Sequence, residues 1–126
     1  MTKIKKITVD QLRAHCKPVQ TTTMWHGIAV TVRTVLPMQE ITSFVNSVMD
    51  GCYDSTHDIM VPEMMDFAFR LNVVMRYACV DLPEDIAEQY ELLYNTDLYD
   101  CIVAVVNSAQ VEFIRNTISN LLFKAK

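Results

Sequence analysis

Residues 61–96, VPEMMDFAFRLNVVMRYACVDLPEDIAEQYELLYNT, decide the fold. Pro62 suits the first turn of a helix, because its missing amide is harmless there and its fixed φ is already helical. With successive residues about 100° apart over 62–78, Glu63, Asp66 and Arg70 fall on one narrow stripe. Asn72 and Arg76 fall on a nearly opposite one, with Met, Phe, Leu and Val between. Two apolar flanks separated by thin polar lines are the pattern of a helix sandwiched between two layers. Leu82-Pro83-Glu84-Asp85 then starts a second helix, over about 83–94, with acids where the helix dipole favours them. Its apolar side is Ile86, Tyr90, Leu93 and Tyr94, and Glu84, Asp85, Glu88 and Glu91 make an acidic outer face.

The chain before this pair changes character twice. Thr8-Val9-Asp10-Gln11 has the form of a capping box and predicts a short helix over 9–15, ended by Pro18. VQTTTMW and IAVTVRTVL, residues 19–25 and 28–36, are rich in β-branched residues and flank His26-Gly27, which predicts a β-hairpin. Ile28, Val30 and Val32 share one face of its second strand, and Ala29, Thr31 and Arg33 the other. Two strands do not stand alone in water, so helices or strands of another chain must cover the ribbon. Pro37 at a helix N1 position and Gly51 at a left-handed C-terminal position bracket a helix over about 37–50, with a stripe of Ile41, Phe44, Val45 and Val48.

Thr96-Asp97 is placed to cap the next helix, over about 97–106, in which CIVAVV is expected to be buried on most sides. Asn107-Ser108 breaks the chain, with Ser108 as the next N-cap. A last helix over about 109–123 carries Val111, Ile114, Ile118, Leu121 and Leu122, and Lys124 and Lys126 complement its C-terminal dipole. The expectation is an α+β fold, mostly α: an N-terminal short helix and β-hairpin, followed by about five helices packed around a central helix at about 62–78. Residues 1–126 read as one domain, with a basic part over 1–36 and a helical part over 37–126. No internal repeat or linker interrupts them.

A hydrophobic share of 51% with only 2 Gly and 4 Pro excludes a disordered chain, and 126 residues suffice for one core without staples. Cys16, Cys52, Cys79 and Cys101 form no C-x-x-C pair, which suits a reducing, cytosolic setting. No run approaches the roughly 18 apolar residues of a membrane span, and the basic N-terminus has no apolar core of a signal peptide. The net charge of -4 is divided unevenly. Residues 1–36 carry six basic groups against Asp10, a balance of +5, and residues 37–100 carry thirteen acids against Arg70 and Arg76, a balance of -11. Such blocks either lie on solvated faces, or pair within the fold or head-to-tail between copies. The acidic balance argues against general nucleic-acid binding.

Signals for chemistry are sparse. Two glycines build no phosphate-cradling loop, so no nucleotide cofactor is expected. Cys52, Asp54, His57 and Asp58 form the one cluster that suggests a metal, but no helical or strand frame fixes their geometry, and a solvated loop is the expectation. Cys52 with His57 has no recognisable nucleophile context, so no catalytic residues and no enzymatic activity are expected. The candidate partner-binding residues are Met60, Met64 and Met65, whose flexible thioethers suit varied apolar partners, Arg70, and the acids Glu84, Asp85, Glu88 and Glu91. Each has a plainer reading: core methionines, an Asp66–Arg70 helix ion pair, and a solvated face.

The order Trp25-His26-Gly27 and alternating strand, Phe44-Val45, Pro62-Glu63, Asp66-Phe67-Ala68-Phe69-Arg70, Tyr77, Leu82-Pro83, Tyr90, Leu93-Tyr94 and Thr96-Asp97 resembles one group of proteins. These are small proteins encoded among the head and tail morphogenesis genes of siphophages and prophages of Gram-positive bacteria, some described as tail-assembly chaperones. The resemblance covers about 80 residues of structural positions and brings no active-site residues with it. It implies a protein that builds a particle in the host cytoplasm, or remains in the virion, by self-association into a homo-oligomer or by coating an apolar structural partner. The alternative is a small acidic phage-encoded inhibitor that binds one host or defence protein. Neither implies a nucleic-acid or membrane partner.

Overall fold

The computed structural model describes residues 4–124 and has an α+β fold that is mostly helical. In order, the chain forms α1 (Val9–Ala14), β1 (Gln20–Trp25), β2 (Ile28–Arg33), α2 (Met38–Gly51), β3 (Tyr53–Asp54), β4 (Ile59–Met60), α3 (Met65–Tyr77), α4 (Ile86–Tyr94), α5 (Leu98–Val103) and α6 (Ser108–Lys124). A single 3-10 turn over Pro62–Met64 leads into α3. Lys124 ends α6, and Lys126, expected with it to complement the C-terminal dipole, lies outside the described residues.

The hairpin closes as its sequence requires. β1 and β2 pair antiparallel from Gln20↔Arg33 to Trp25↔Ile28, leaving a two-residue turn in which His26 and Gly27 both take positive φ, 50° and 80°. That turn matches the twist of its strands and favours glycine at the second position. Val30 and Val32 are buried, while Ile28, expected on the same covered face, sits beside the turn and stays exposed. The cover comes from this chain's own helices: α3 touches β2 and α5 touches β1. Val32 also bridges to Ala78, and the Cys79 amide donates to the Thr31 carbonyl at 2.9 Å, so the end of α3 extends the ribbon.

Helix α3 lies at the centre, against α2, α4, α5 and β2. Its two apolar flanks contribute Phe69, Val73, Val74 and Tyr77 to the core, which Phe44 and Val48 of α2, Leu93, Ile102, and Ile114, Ile118 and Leu122 of α6 complete. Full burial of each such side chain is worth about 1.5–3 kcal/mol. Asn72, only 4% exposed, is the one polar residue among the buried positions described. It donates to the Ala68 carbonyl at 2.9 Å and accepts from Arg76 Nε at 3.0 Å, so it carries no unsatisfied group into the core.

Several boundaries differ from the sequence expectations, each for a local reason. Gly51 does not take a left-handed conformation; it remains helical, and a Cβ there would lie 3.1 Å from the Cβ of Ala68. A side chain there would crowd Ala68, so glycine relieves the close approach of α2 to α3. Pro37 is the N-cap of α2 and not its first helical residue. Asp85 caps α4 by accepting from the Glu88 amide at 3.1 Å, so this helix starts three residues later than Pro83 suggests. Asn107, not Ser108, caps α6, accepting from the Gln110 amide at 2.9 Å. At the start of α5 it is Thr96 Oγ1 that accepts from the Leu98 amide, at 3.3 Å. Asp97 makes no side-chain cap bond; its carboxylate accepts from Trp25 Nε1 at 2.7 Å and contacts His26 Nε2 at 2.9 Å, tying the hairpin turn to the loop after α4.

Candidate interaction surface

The polar stripe at the start of α3 is built into an aromatic cluster. The i, i+4 spacing of Asp66 and Arg70 brings Arg70 Nε to 3.0 Å from the carboxylate, and Arg115 of α6 approaches its other oxygen at 3.6 Å. The Tyr94 hydroxyl donates to the same carboxylate. Burial alone would raise the pKa of Asp66, but the Tyr94 hydroxyl and the cations Arg70 and Arg115 outweigh it and hold the carboxyl below its ordinary range. Tyr94 moves the other way, to about 12, chiefly through burial and then through its bond to Asp66. The Arg70 guanidinium lies over the rings of Tyr94 and Tyr99, at 4.9 and 4.5 Å from their centroids. Arg70 is therefore engaged by its own chain on three sides.

Phe67, Tyr90 and Tyr94 continue this cluster to the surface, with centroid separations of 5.6 Å for Phe67–Tyr90 and 4.6 Å for Tyr90–Tyr94. Beside them, Ile86 is 68% and Tyr90 55% exposed. Glu84, Asp85, Glu88 and Glu91 are exposed around this apolar edge. Residues 81–100 hold seven acids and no base, and among the described residues Glu84, Asp85, Glu88 and Glu91 make no ion pair. Solvent-exposed apolar side chains ringed by one sign of charge form a surface suited to protein contact.

The other expected positions are dispersed. Met60 and Met65 are half-buried against the core, and of the three clustered methionines only Met64 is exposed. The segment 52–60 is not a loop throughout: β3 and β4 pair across it. Cys52 is buried, and burial raises its thiol pKa. His57 Nδ1 lies 2.7 Å from Asp54 Oδ2, while Asp58 accepts from the Tyr53 hydroxyl, so these side chains partner one another in pairs. Among the described residues no group of three or more His, Cys, Asp or Glu converges as a ligand set, and no helix is long and apolar enough to cross a membrane.

Two surfaces escaped the sequence reading. Met38 and Phe113 are exposed beside Leu36, Ile41 and Val45, forming an apolar groove between α2 and α6. The signal was present in Phe113, an aromatic lying off the buried stripe of α6. The second is the N-terminal arm. α1 forms with the complete predicted capping box, Thr8 Oγ1 accepting from the Gln11 amide at 3.2 Å and the Gln11 side chain accepting from the Thr8 amide at 2.9 Å, yet none of its residues is buried. Compared with protein-family models, curated proteins and solved structures, the chain matches none.

Proposed function

We propose that this chain is a non-enzymatic assembly protein that self-associates and holds a structural protein partner, like the phage morphogenesis and tail-assembly proteins its sequence resembles. One observation supports the reading above all. The basic N-terminal segment and the acidic α4 segment both present exposed apolar side chains, and among the described residues Lys5, Lys6, Arg13 and Lys17 of the one and Glu84, Asp85, Glu88 and Glu91 of the other make no ion pair. Opposed potentials steer encounter and fix register, and the apolar side chains beside them supply the area to be buried. Among the described residues, Arg33 is the one Lys or Arg of the basic third that pairs with an acid of the middle, forking onto Glu40 at 2.6 and 2.7 Å, while His26 contacts Asp97. Met64, with Met60 and Met65 behind it, offers an adaptable contact for the partner at the start of α3. Arg70 serves this surface by fixing Tyr94 rather than by meeting the partner directly. The setting that follows is the host cytoplasm or the virion.

The reading predicts multimers whose mass falls as salt rises, measured by light scattering on the full chain. A strict monomer at high concentration in low salt would contradict it. The unpaired acids also favour a second reading, a small inhibitor whose α4 face binds one basic host or defence protein. That reading predicts a stable heterocomplex weakened when Glu84, Asp85, Glu88 and Glu91 are changed to Lys; binding that survives the change excludes it.

A further inference from the structure

The least explained element in the molecule is α1. A helix of six residues is too short to be stable in water on its own, since isolated helices below about 12–15 residues are marginal. Here it is capped at its N-terminus and buries none of its residues, and Ile4 is 93%, Ile7 68% and Leu12 58% exposed. Lys5, Lys6, Arg13 and Lys17 surround these apolar residues, and among the described residues none of the four makes an ion pair. A basic arm that carries exposed apolar side chains has the properties of a ligand.

Its chemical complement is present in the same chain. The α4 segment offers an apolar edge, Ile86 and Tyr90, bordered by Glu84, Asp85, Glu88 and Glu91. Their points of attachment lie at opposite ends of the hairpin. The arm leaves from the open end of the hairpin, where Thr34 Oγ1 donates to the Pro18 carbonyl at 2.7 Å and the Thr34 amide to the Val19 carbonyl at 2.9 Å. The loop after α4 is held at the opposite end by the Trp25–Asp97 bond, about 17 Å away along five strand steps.

We infer that α1 of one copy docks on the α4 face of a second copy, its Ile7 and Leu12 against Ile86 and Tyr90 and its lysines and arginine against the four acids. This rests on the self-association reading above and names the surfaces that carry it. Because arm and face are different surfaces, the contact is heterologous: a reciprocal exchange closes a dimer, and a one-way exchange propagates to larger rings or filaments.

Two charge-reversed full-length chains test the assignment. One carries Lys5→Glu, Lys6→Glu and Arg13→Glu; the other carries Glu84→Lys, Glu88→Lys and Glu91→Lys. All six positions are exposed, so the core of each chain is untouched. Light scattering in low salt should show the wild type as a multimer and each reversed chain associating at least about a hundredfold more weakly, because like charges then face one another. An equimolar mixture of the two reversed chains should recover a complex that neither forms alone. A wild-type multimer whose mass is unchanged by either reversal overturns the arm assignment while leaving self-association standing. Reversed chains that weaken association but do not recover on mixing also overturn it. A wild type that is monomeric throughout, as it would be with the arm folded onto its own α4, overturns both.

Discussion

Helices α1 and α3 make opposite use of the same chain. α1 has a complete N-terminal capping box and buries nothing; α3 has no side-chain cap and buries six of its residues, Ala68, Phe69, Asn72, Val73, Val74 and Tyr77. Local hydrogen bonding thus starts a helix, whereas the apolar pattern on both flanks decides whether it becomes part of the interior. α3 needs no cap because its neighbours hold it in place. α1 has only its cap, and its apolar residues remain available to something outside the monomer.

The sharpest way to break this contrast is to empty the centre. Phe69→Ala should lower stability by about 3–5 kcal/mol, read as a fall in the urea midpoint, because a fully buried ring is lost and its cavity stays open. A loss below about 1 kcal/mol would mean that α3 is not the organising helix. Next in size is Gly51→Val, which forces a side chain toward Ala68 Cβ and should cost about 1–3 kcal/mol by overpacking. Adding Ala68→Gly to the same chain should recover part of that loss; a strictly additive pair would place the α2–α3 approach elsewhere.

A smaller effect lies in the Asp66 cluster. Its carboxyl has a lowered pKa in the folded chain, so its stabilising contribution is complete above the ordinary value of 3.8 and is lost as pH falls through the lowered value. Asp66→Asn should therefore lower Tm at neutral pH, and its Tm should fall less steeply than that of the wild type between about pH 5 and about pH 3. Parallel Tm curves would remove Asp66 from the acid transition and leave it to Glu40, Asp54 and Asp97, whose carboxyls are also held low. The smallest effect on global stability should come from the strongest cap. Thr8→Ala should change the unfolding midpoint by less than about 0.5 kcal/mol, because α1 is coupled to no buried residue, while loosening α1 itself by about 1 kcal/mol. A large global loss would show that the arm is part of the folded body.

Much of this fold was legible because its signals are local. The Thr8–Gln11 box, the His26-Gly27 turn between β-branched runs, and the double apolar flank of α3 each depend on residues within a few positions of one another. What escaped depended on distant partners. Asp97 reads as a cap until the Trp25 and His26 side chains reach it from the hairpin, and Gly51 reads as a helix stop until Ala68 is seen opposite. The candidate surface divided in the same way. The acids of α4 could be placed outside from their period, but the sequence gives no measure of whether Arg70 faces solvent or lies over Tyr94 and Tyr99. Nor does the capping box of α1 reveal that the helix it starts is left uncovered.

Amide hydrogen exchange at two protein concentrations tests the central claim most directly, because it reads α1 and α4 separately from the core. The arm-exchange account predicts that the amides of α3 are protected equally at both concentrations. Those of α1 should exchange freely in dilute solution and slow markedly, together with those of α4, in concentrated low-salt solution. Protection of α1 that does not change with concentration would contradict it.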